Sequence, residues 1–263
     1  MASAVVGGEI AVAGGFLADG SSSARVDLYR PQTNTWRRAP DLPVPVNHAA
    51  AATLGGRLVV VGGYGAAQRA SMLDGDRWRP LPALPSPRAA AGAATLGARL
   101  YVVGGRVGDS LARNTLAWDG RRWSYAPGPT PREHLAAIVA HGRIYAVGGR
   151  TAGFDTNLAL VESWAPGERR WRRESPLPEP RGGTGAAAVG RFVVSVGGEA
   201  PSGTLARVFR YDVVSRRWTT LPSLPTPRHG LAVAAVAGTV YAIAGGTEPG
   251  LHVSGVNEAL RVG

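Results

Sequence analysis

Pairs of adjacent glycines recur along this chain at nearly regular intervals, and they constrain its fold more than any other feature. Each pair follows a short apolar run rich in β-branched residues, such as residues 57–61 before Gly62-Gly63. The pairs are Gly14-Gly15, Gly62-Gly63, Gly104-Gly105, Gly148-Gly149, Gly197-Gly198 and Gly245-Gly246, with spacings of 48, 42, 44, 49 and 48 residues. A period of this length predicts a repeat protein whose units are each one supersecondary structure.

The residues between the glycine pairs predict four antiparallel strands per unit. An alanine-rich run, such as residues 49–54, precedes the strand that ends at the pair, and a glycine-containing turn separates the two, as in a hairpin. Alanine propensity alone favours a helix, but the immediate turn and the β-branched partner favour a strand. After the pair come a loop and two further strands. The last of these carries an indole, at Trp36, Trp78, Trp123, Trp171 and Trp218.

A Pro-Arg dipeptide marks the junction between successive units. It occurs at Pro87-Arg88, Pro131-Arg132, Pro180-Arg181 and Pro227-Arg228, just before the next alanine-rich run. A single four-stranded unit cannot cover both of its sheet faces. Packing the units radially around an axis covers these faces and protects most edges.

Together, the glycine pairs, the late-strand tryptophans and the Pro-Arg junctions resemble the kelch repeat family. The resemblance covers essentially the whole chain, and it implies an all-β, six-bladed propeller as one domain over residues 1–263. The implied blades are approximately 1–45, 46–86, 87–130, 131–179, 180–226 and 227–263. We expect the glycine pairs to lie beneath a neighbouring blade and the indoles to fill the space between blades.

The sixth unit departs from the pattern because it contains only three predicted strands. These are the run after Arg228, residues 239–244 and residues 257–262, with no tryptophan strand. Kelch propellers commonly close by pairing strands from both termini in one blade. We therefore expect the natural chain to begin upstream of Met1, which leaves secretion open. The alternative is a three-stranded sixth blade whose edge is shielded by Arg261.

Composition removes several classes of function. The chain has no cysteine, which excludes disulfides, thiolate metal sites and the cysteine-dependent copper chemistry of kelch-type oxidases. The formal net charge is +11, and all 29 basic residues are arginine, a bias we interpret as that of a GC-rich bacterial genome. No apolar stretch is long enough for a membrane-spanning helix.

The arginines are predicted to lie around the rim rather than on one face. Twelve of the 29 flank the outer-strand tryptophans, once per blade. Nucleic-acid binding needs a contiguous basic surface, whereas charged outer strands serve to prevent edge-to-edge association. We expect no nucleic-acid partner and no membrane insertion.

Polar residues at the junctions and in the loops after the glycine pairs predict a binding site. In kelch domains these segments open on one face around the central mouth. The candidate residues are Asn47, His48, Arg106, Asp109, Glu133, His134, Arg150, Asp155, Asn157, Glu199 and His229. Three of them, His48, His134 and His229, are predicted to share one repeat position, one or two residues after a junction or its equivalent. Convergence on a metal ion is conceivable, but separate polar roles are favoured, and we predict no metal, cofactor or catalytic residue.

These observations predict a non-enzymatic binding module, expected to be a monomer, that recognises a protein segment or a glycan at its mouth. The alternative is a sugar mutarotase that resembles the bacterial N-acetylneuraminate kelch enzyme. Glu133 or Glu199 would then act as acid and base, and Arg106 or Arg150 would bind the sugar carboxylate. The sequence leaves the ligand and the cellular compartment undetermined.

Overall fold

Six β-sheets arranged around a central axis form the protein. The computed structural model describes residues 1–262. Innermost strands of successive sheets contact one another, and the innermost strand of the sixth sheet contacts that of the first. The ring is therefore closed by packing between sheets, and the chain is the six-bladed propeller that its repeats predict.

The strands of the first three blades follow the predicted order from the hub to the rim. Blade one contains β1 (Ala2–Val6), β2 (Glu9–Ala13), β3 (Val26–Arg30) and β4 (Thr35–Arg38). Blade two contains β5 (Ala50–Leu54), β6 (Arg57–Val61), β7 (Ala70–Asp74) and β8 (Arg77–Pro80). Blade three contains β9 (Gly92–Leu96) and β10 (Arg99–Val103), a loop hairpin of β11 (Arg106–Val107) and β12 (Ser110–Leu111), then β13 (Asn114–Trp118) and β14 (Trp123–Pro127).

The last three blades repeat this order, and the sixth stops one strand early. Blade four contains β15 (Ala136–Ala140), β16 (Arg143–Val147), β17 (Val161–Trp164) and β18 (Arg172–Arg173), with a 3-10 helix at Phe154–Thr156 in its loop. Blade five contains β19 (Gly185–Val189), β20 (Phe192–Val196), the loop hairpin β21 (Glu199–Ala200) and β22 (Gly203–Thr204), β23 (Val208–Asp212) and β24 (Arg217–Leu221). Blade six contains β25 (Ala232–Val236), β26 (Thr239–Ile243) and β27 (Asn257–Arg261).

The alanine-rich runs are the innermost strands, as predicted, and they line the axial channel. Six inner strands converge at the hub, where only small side chains leave enough room. A Cβ on Gly92 in β9, for example, would lie 2.5 Å from the Cβ of Ala137 in β15. A channel of about 370 Å³ remains between these strands.

The arginine of each Pro-Arg junction is buried, a role that the sequence analysis did not assign. Side chains of Arg88, Arg132, Arg181 and Arg228 are at most 1% exposed. The Arg132 guanidinium donates to the carbonyls of Gly148 (2.7 Å) and Ala146 (3.1 Å) in its own blade, and to the Glu162 carboxylate (2.5 Å). Buried guanidinium groups need such acceptors. Each junction arginine thus joins the strands of its own blade.

The backbone carbonyls of the same arginines hold neighbouring blades together. The second glycine of the preceding blade's pair donates its N–H to each of them. These hydrogen bonds run from Gly63 to Arg88 (2.8 Å), Gly105 to Arg132 (2.9 Å), Gly149 to Arg181 (2.9 Å) and Gly198 to Arg228 (2.9 Å). In blade two Val46 takes the place of arginine and accepts from Gly15 (2.9 Å).

The sixth glycine pair is offset by one residue from the others. After β26 the two residues with positive φ are Ala244 (54°) and Gly245 (96°), whereas the first five pairs have both glycines in this region. The predicted equivalence of Gly245-Gly246 to the other pairs is therefore wrong by one position. β26 and β27 also each end one residue earlier than predicted, at Ile243 and Arg261.

The rim arginines are exposed, as predicted, and several pair with acids of the same blade. Arg37 contacts Glu9 (2.6 Å) and Arg79 contacts Asp74 (2.7 Å) within their blades, whereas Arg216 of blade five contacts Glu174 of blade four (3.1 Å). Such exposed pairs contribute little to stability, about 1 kcal/mol or less each. None of the helices in the described residues 1–262 is long and apolar enough to cross a membrane.

The close approach of the glycine pair to the next blade can be tested at Gly62. Its φ is +64°, and an added Cβ would lie 2.2 Å from the Arg88 carbonyl oxygen. We expect Gly62→Ala to lower the free energy of unfolding in urea by more than about 3 kcal/mol, because it adds a steric clash to the strain of a left-handed alanine.

Gly55→Ala is the matched control for this substitution. Gly55 also has a positive φ of +56°, but an added Cβ there meets nothing within 4 Å. The control should cost only about 1–2 kcal/mol. Equal losses for the two variants would contradict the role of the glycine pair in joining blades.

Candidate functional site

Two rows of residues, one from the junctions and one from the loops after the glycine pairs, build the mouth of the propeller. They meet through isolated β-bridges, one in each of blades two to six. These bridges pair Asn47 with Tyr64, Ala89 with Arg106, Glu133 with Arg150, Gly182 with Glu199 and His229 with Gly246. The loop row thus presents a different side chain in each blade, and this gives the mouth its chemistry.

A collar of backbone hydrogen bonds runs around the mouth through the residues that follow the junction row. Ala90 donates to His48 (2.9 Å), His134 to Ala90 (2.8 Å), Gly183 to His134 (3.0 Å) and Gly230 to Gly183 (2.8 Å). All five residues have φ between 51° and 63°. The collar fixes the positions of the His48 and His134 side chains, which belong to different blades.

The rings of His48 and His134 contact each other. Their ring centroids lie 4.8 Å apart, edge to face. Phe16 (5.5 Å) and Tyr64 (5.3 Å) also pack edge to face on the His48 ring. The two histidines therefore belong to an aromatic cluster at the mouth.

His229 does not occupy the same position as the other two histidines. It lies in the junction row, one residue before the collar. Its Nδ1 is 3.2 Å from the carbonyl oxygen of Gly246, and its Nε2 is 2.9 Å from that of Gly250. The prediction that the three histidines share one repeat position is wrong, and His229 instead holds the loop of blade six against the mouth.

Arg150 is the centre of a buried ion network. Its Nη1 donates to Glu199 Oε1 (2.7 Å), and its Nε lies 3.4 Å from Glu133 Oε1. Arg106 reaches the other oxygen of Glu133 at 3.5 Å. Burial acts to raise the pKa of Glu133, but His134, Arg150 and Arg106 outweigh it and keep this pKa below its usual value. The carboxylate is therefore held ionised.

Arg150 also determines which nitrogen of His134 carries a proton. Its Nη2 is 3.1 Å from His134 Nε2, and because arginine can only donate, Nε2 must accept. The proton then lies on Nδ1, which is 3.3 Å from Glu133 Oε1 without hydrogen-bond geometry. Burial lowers the pKa of His134, so the ring is neutral.

This arrangement does not fit a metal centre. The guanidinium of Arg150 covers Nε2 of His134, and carbonyl oxygens face both nitrogens of His229. Within residues 1–262, no group of three or more His, Asp or Glu side chains is positioned to hold a metal ion.

Apolar side chains surround the charged network. Five of the eight exposed large apolar residues, Leu17, Tyr64, Phe154, Leu251 and Val253, lie in the loops that follow the glycine pairs. Phe16, Phe154, Leu251 and Val253 line a cavity of about 390 Å³ together with His48, His134, Arg150, Glu199 and His229. The residues predicted for this site are all polar. The signal in the sequence that reveals the apolar ones is the aromatic or aliphatic residue that follows a glycine pair, at Phe16, Tyr64 and Leu251.

The remaining predicted residues lie around this cavity rather than on its wall. Asn47 contacts Nδ1 of His48 (2.6 Å), and Asn157 donates to the carbonyl of Glu199 (2.5 Å), so both support residues that line it. Asp109 contributes its backbone carbonyl to Arg106 (3.1 Å). Asp155 is exposed in the 3-10 helix.

Fold and site together define a six-bladed propeller with one asymmetric mouth, a fold class that indicates an interaction module. The family model described as "Kelch motif" matches residues 1–43, 131–178 and 180–225, just over half of the chain. The chain therefore belongs to the kelch family. A search of curated proteins finds no matching relative.

The aromatic cluster predicts a pH-dependent stability. Burial and the neighbouring His134 lower the pKa of His48 from 6.5 to about 3. Between these values the unfolded chain binds a proton that the folded chain excludes, so the free energy of unfolding falls as the pH falls. We expect His48→Asn to remove part of this loss, up to about 2 kcal/mol between pH 7.5 and pH 5, measured by urea unfolding.

His141→Asn provides the control, because His141 has the same left-handed backbone (φ 47°, against 52° for His48) but lies exposed in a turn. This variant should keep the wild-type pH profile. If His48→Asn also keeps that profile, residue 48 is not a buried neutral histidine.

Proposed function

We propose that this protein is a non-enzymatic binding module that captures a segment of another protein at the mouth of the propeller. The observation that carries the proposal is the concentration of exposed apolar side chains around one cavity. Contiguous apolar surface at a concave, otherwise polar site is typical of recognition. Scattered apolar residues over the whole surface would not support it.

The two halves of the mouth indicate what kind of segment would bind. Phe16 and Leu251 line the cavity, and the exposed Tyr64 packs on His48 beside it. Together they offer an apolar wall, on which an aromatic or aliphatic side chain of the partner would pack. Arg106 lies on the other side, with its guanidinium partly exposed and held by Glu133 and Asp109. Such a guanidinium can donate hydrogen bonds to a carbonyl or carboxylate of the partner. The cavity of about 390 Å³ can hold one or two side chains.

The ion network supports binding rather than the mutarotase alternative. Anomer exchange needs a carboxyl group that can give a proton to the sugar and take one back. Glu133 and Glu199 are each about 4% exposed or less, and both are paired with Arg150. A carboxylate held in this way serves to fix the shape of the mouth. The same argument disfavours a glycan whose carboxylate would need Arg150.

Selection from a random-peptide phage library against the full chain tests this proposal. We expect enriched peptides to contain an aromatic or large aliphatic residue and to bind the wild-type protein. Leu251→Asp, which changes a 52% exposed side chain, should weaken binding at least about tenfold, because it places a charge on the apolar wall.

Val214→Asp is the matched control, since Val214 is also exposed but lies in the turn after β23, away from the mouth. Peptides that lose binding to this variant but not to Leu251→Asp would contradict the proposed site. Accelerated anomer exchange of N-acetylneuraminate by NMR, abolished in Glu199→Gln, would contradict the non-enzymatic function itself.

A further inference from the structure

The three predicted histidines of the mouth differ in which of their ring nitrogens already have partners. Both nitrogens of His229 face carbonyl oxygens, and Nε2 of His134 faces the Arg150 guanidinium. Nδ1 of His134 is buried and makes no hydrogen bond. Nδ1 of His48 lies 2.6 Å from Oδ1 of Asn47. The sixth nitrogen is Nε2 of His48, and its state determines what the mouth can bind at this point.

The contact with Asn47 determines where the His48 ring carries its proton. The amide nitrogen of Asn47 donates to the hydroxyl of Ser22 (2.7 Å), and its Oδ1 faces the ring. Because an amide oxygen can only accept, Nδ1 of His48 must be the donor. Burial lowers the pKa of His48, so the ring is neutral at neutral pH. Nε2 therefore holds a lone pair and is a hydrogen-bond acceptor.

This acceptor is accessible from the mouth. Nε2 of His48 makes no hydrogen bond within residues 1–262, and it is not one of the buried polar atoms there that lack a partner. The His48 side chain is half-buried, and it lines the cavity of about 390 Å³. A ligand in this cavity can therefore donate a hydrogen bond to Nε2.

The wall of the cavity beside His48 is aromatic and apolar. Phe16 (5.5 Å) and Tyr64 (5.3 Å) pack edge to face on the His48 ring. Leu251 continues this wall, since a Cβ added to Gly20, in the same loop as Phe16, would lie 2.9 Å from its Cδ2. A small polar donor would leave these apolar groups uncovered. The site therefore requires a large, mostly apolar group that carries a hydrogen-bond donor.

Among protein side chains, the indole of tryptophan meets this requirement best. Its Nε1–H is a donor without acceptor capacity, whereas a tyrosine hydroxyl also brings lone pairs that need donors of their own. The chain itself uses indoles in this way, packed on apolar residues and donating to a carbonyl oxygen at 2.8 or 2.9 Å. The four examples are Trp78, Trp123, Trp171 and Trp218.

We propose that the mouth takes a tryptophan side chain of the partner segment, with its ring against Phe16 and Leu251 and its Nε1–H donated to Nε2 of His48. This inference rests on the proposed function and names the residue that the partner must carry. His48 is then the residue that selects an indole among large apolar side chains. A phenyl or aliphatic group would cover the same wall but would leave Nε2 without a partner in a dehydrated site, which weakens binding.

Two small probes that differ in one group test the hydrogen bond. They are N-acetyltryptophanamide and its 3-benzothienyl analogue, in which sulfur replaces the indole N–H. Amide shifts in NMR titrations of the full chain give both dissociation constants. We expect the tryptophan probe to bind about tenfold more tightly, with shifts at the mouth. Apolar packing alone would favour the more apolar sulfur analogue, so the two explanations predict opposite orders of affinity.

The variant His48→Phe removes the acceptor but keeps an aromatic ring at this position. It should lose the preference for the tryptophan probe, because neither probe can then form the hydrogen bond. His141→Phe is the matched control, since His141 has the same left-handed backbone (φ 47°, against 52° for His48) but lies exposed in a turn. The control should keep the preference.

The proton position on His48 can be measured in the wild-type protein, whether or not the variant folds. A long-range 1H–15N spectrum of the protein with labelled histidine distinguishes the two neutral tautomers. We expect His48 to carry its proton on Nδ1. The Nε2 resonance should shift when the tryptophan probe is added.

Four results would each overturn this inference. They are a proton on Nε2 of His48, no binding of the tryptophan probe at millimolar concentration, equal or reversed affinities of the two probes, and a preference that persists in His48→Phe. Selected library peptides that bind through Leu251 but lack tryptophan would also overturn it, and they would leave the proposed function intact. A library that yields no binding peptide would contradict both.

Discussion

The ring of blades depends on the backbone carbonyl group of the junction residue. It accepts a hydrogen bond from the glycine pair of the preceding blade, while the side chain of the same residue is buried against its own blade at Arg88, Arg132, Arg181 and Arg228. One residue thus joins strands within a blade and joins two blades. The first glycine must lack a side chain because the carbonyl lies where its Cβ would be. The glycine pair and the junction residue therefore form one contact between neighbouring blades.

Because backbone groups make the repeated contacts between blades, the side chains at the mouth can differ from blade to blade. Backbone hydrogen bonds alone form the collar, so its shape does not depend on whether a position holds histidine, alanine or glycine. The loop row can then present Phe16 and Tyr64 on one side and Arg106, Arg150 and Glu199 on the other without disturbing the ring. This separation of a constant backbone from variable side chains is typical of scaffolds that carry binding sites.

Burial and ion pairing change what the strong positive charge of the chain implies about its surface. The net charge of +11 suggests a basic surface. In the structure, however, the four junction arginines lie inside the blades and Arg150 lies in an ion network, while rim arginines such as Arg37 contact acids of their own blade. The charge is distributed around the ring and through its interior. It does not form one continuous face.

The amino-acid sequence was sufficient to predict the architecture, because the same repeat occurs in it six times. Periodic glycine pairs, the turns after the alanine runs and the late-strand tryptophans each recur five or six times, and a local feature repeated in register has few ways to pack. It also predicted a set of polar residues at the mouth, from Asn47 to His229, of which His48, His134, Arg150, Glu199 and His229 line the cavity. The offset of Gly245-Gly246 could not be predicted, since the sequence contains the glycine pair but the two positive-φ positions lie one residue earlier in the backbone.

How those residues act follows from contacts that form only in the folded ring. That Arg150 occupies His134 Nε2, that His229 holds a loop carbonyl on each ring nitrogen, and that Leu251 adds to an apolar wall all depend on contacts between residues far apart in the chain. A repeat pattern determines the position of each residue in the fold. The contacts of that residue with other blades determine its protonation, its burial and whether it can contact a ligand.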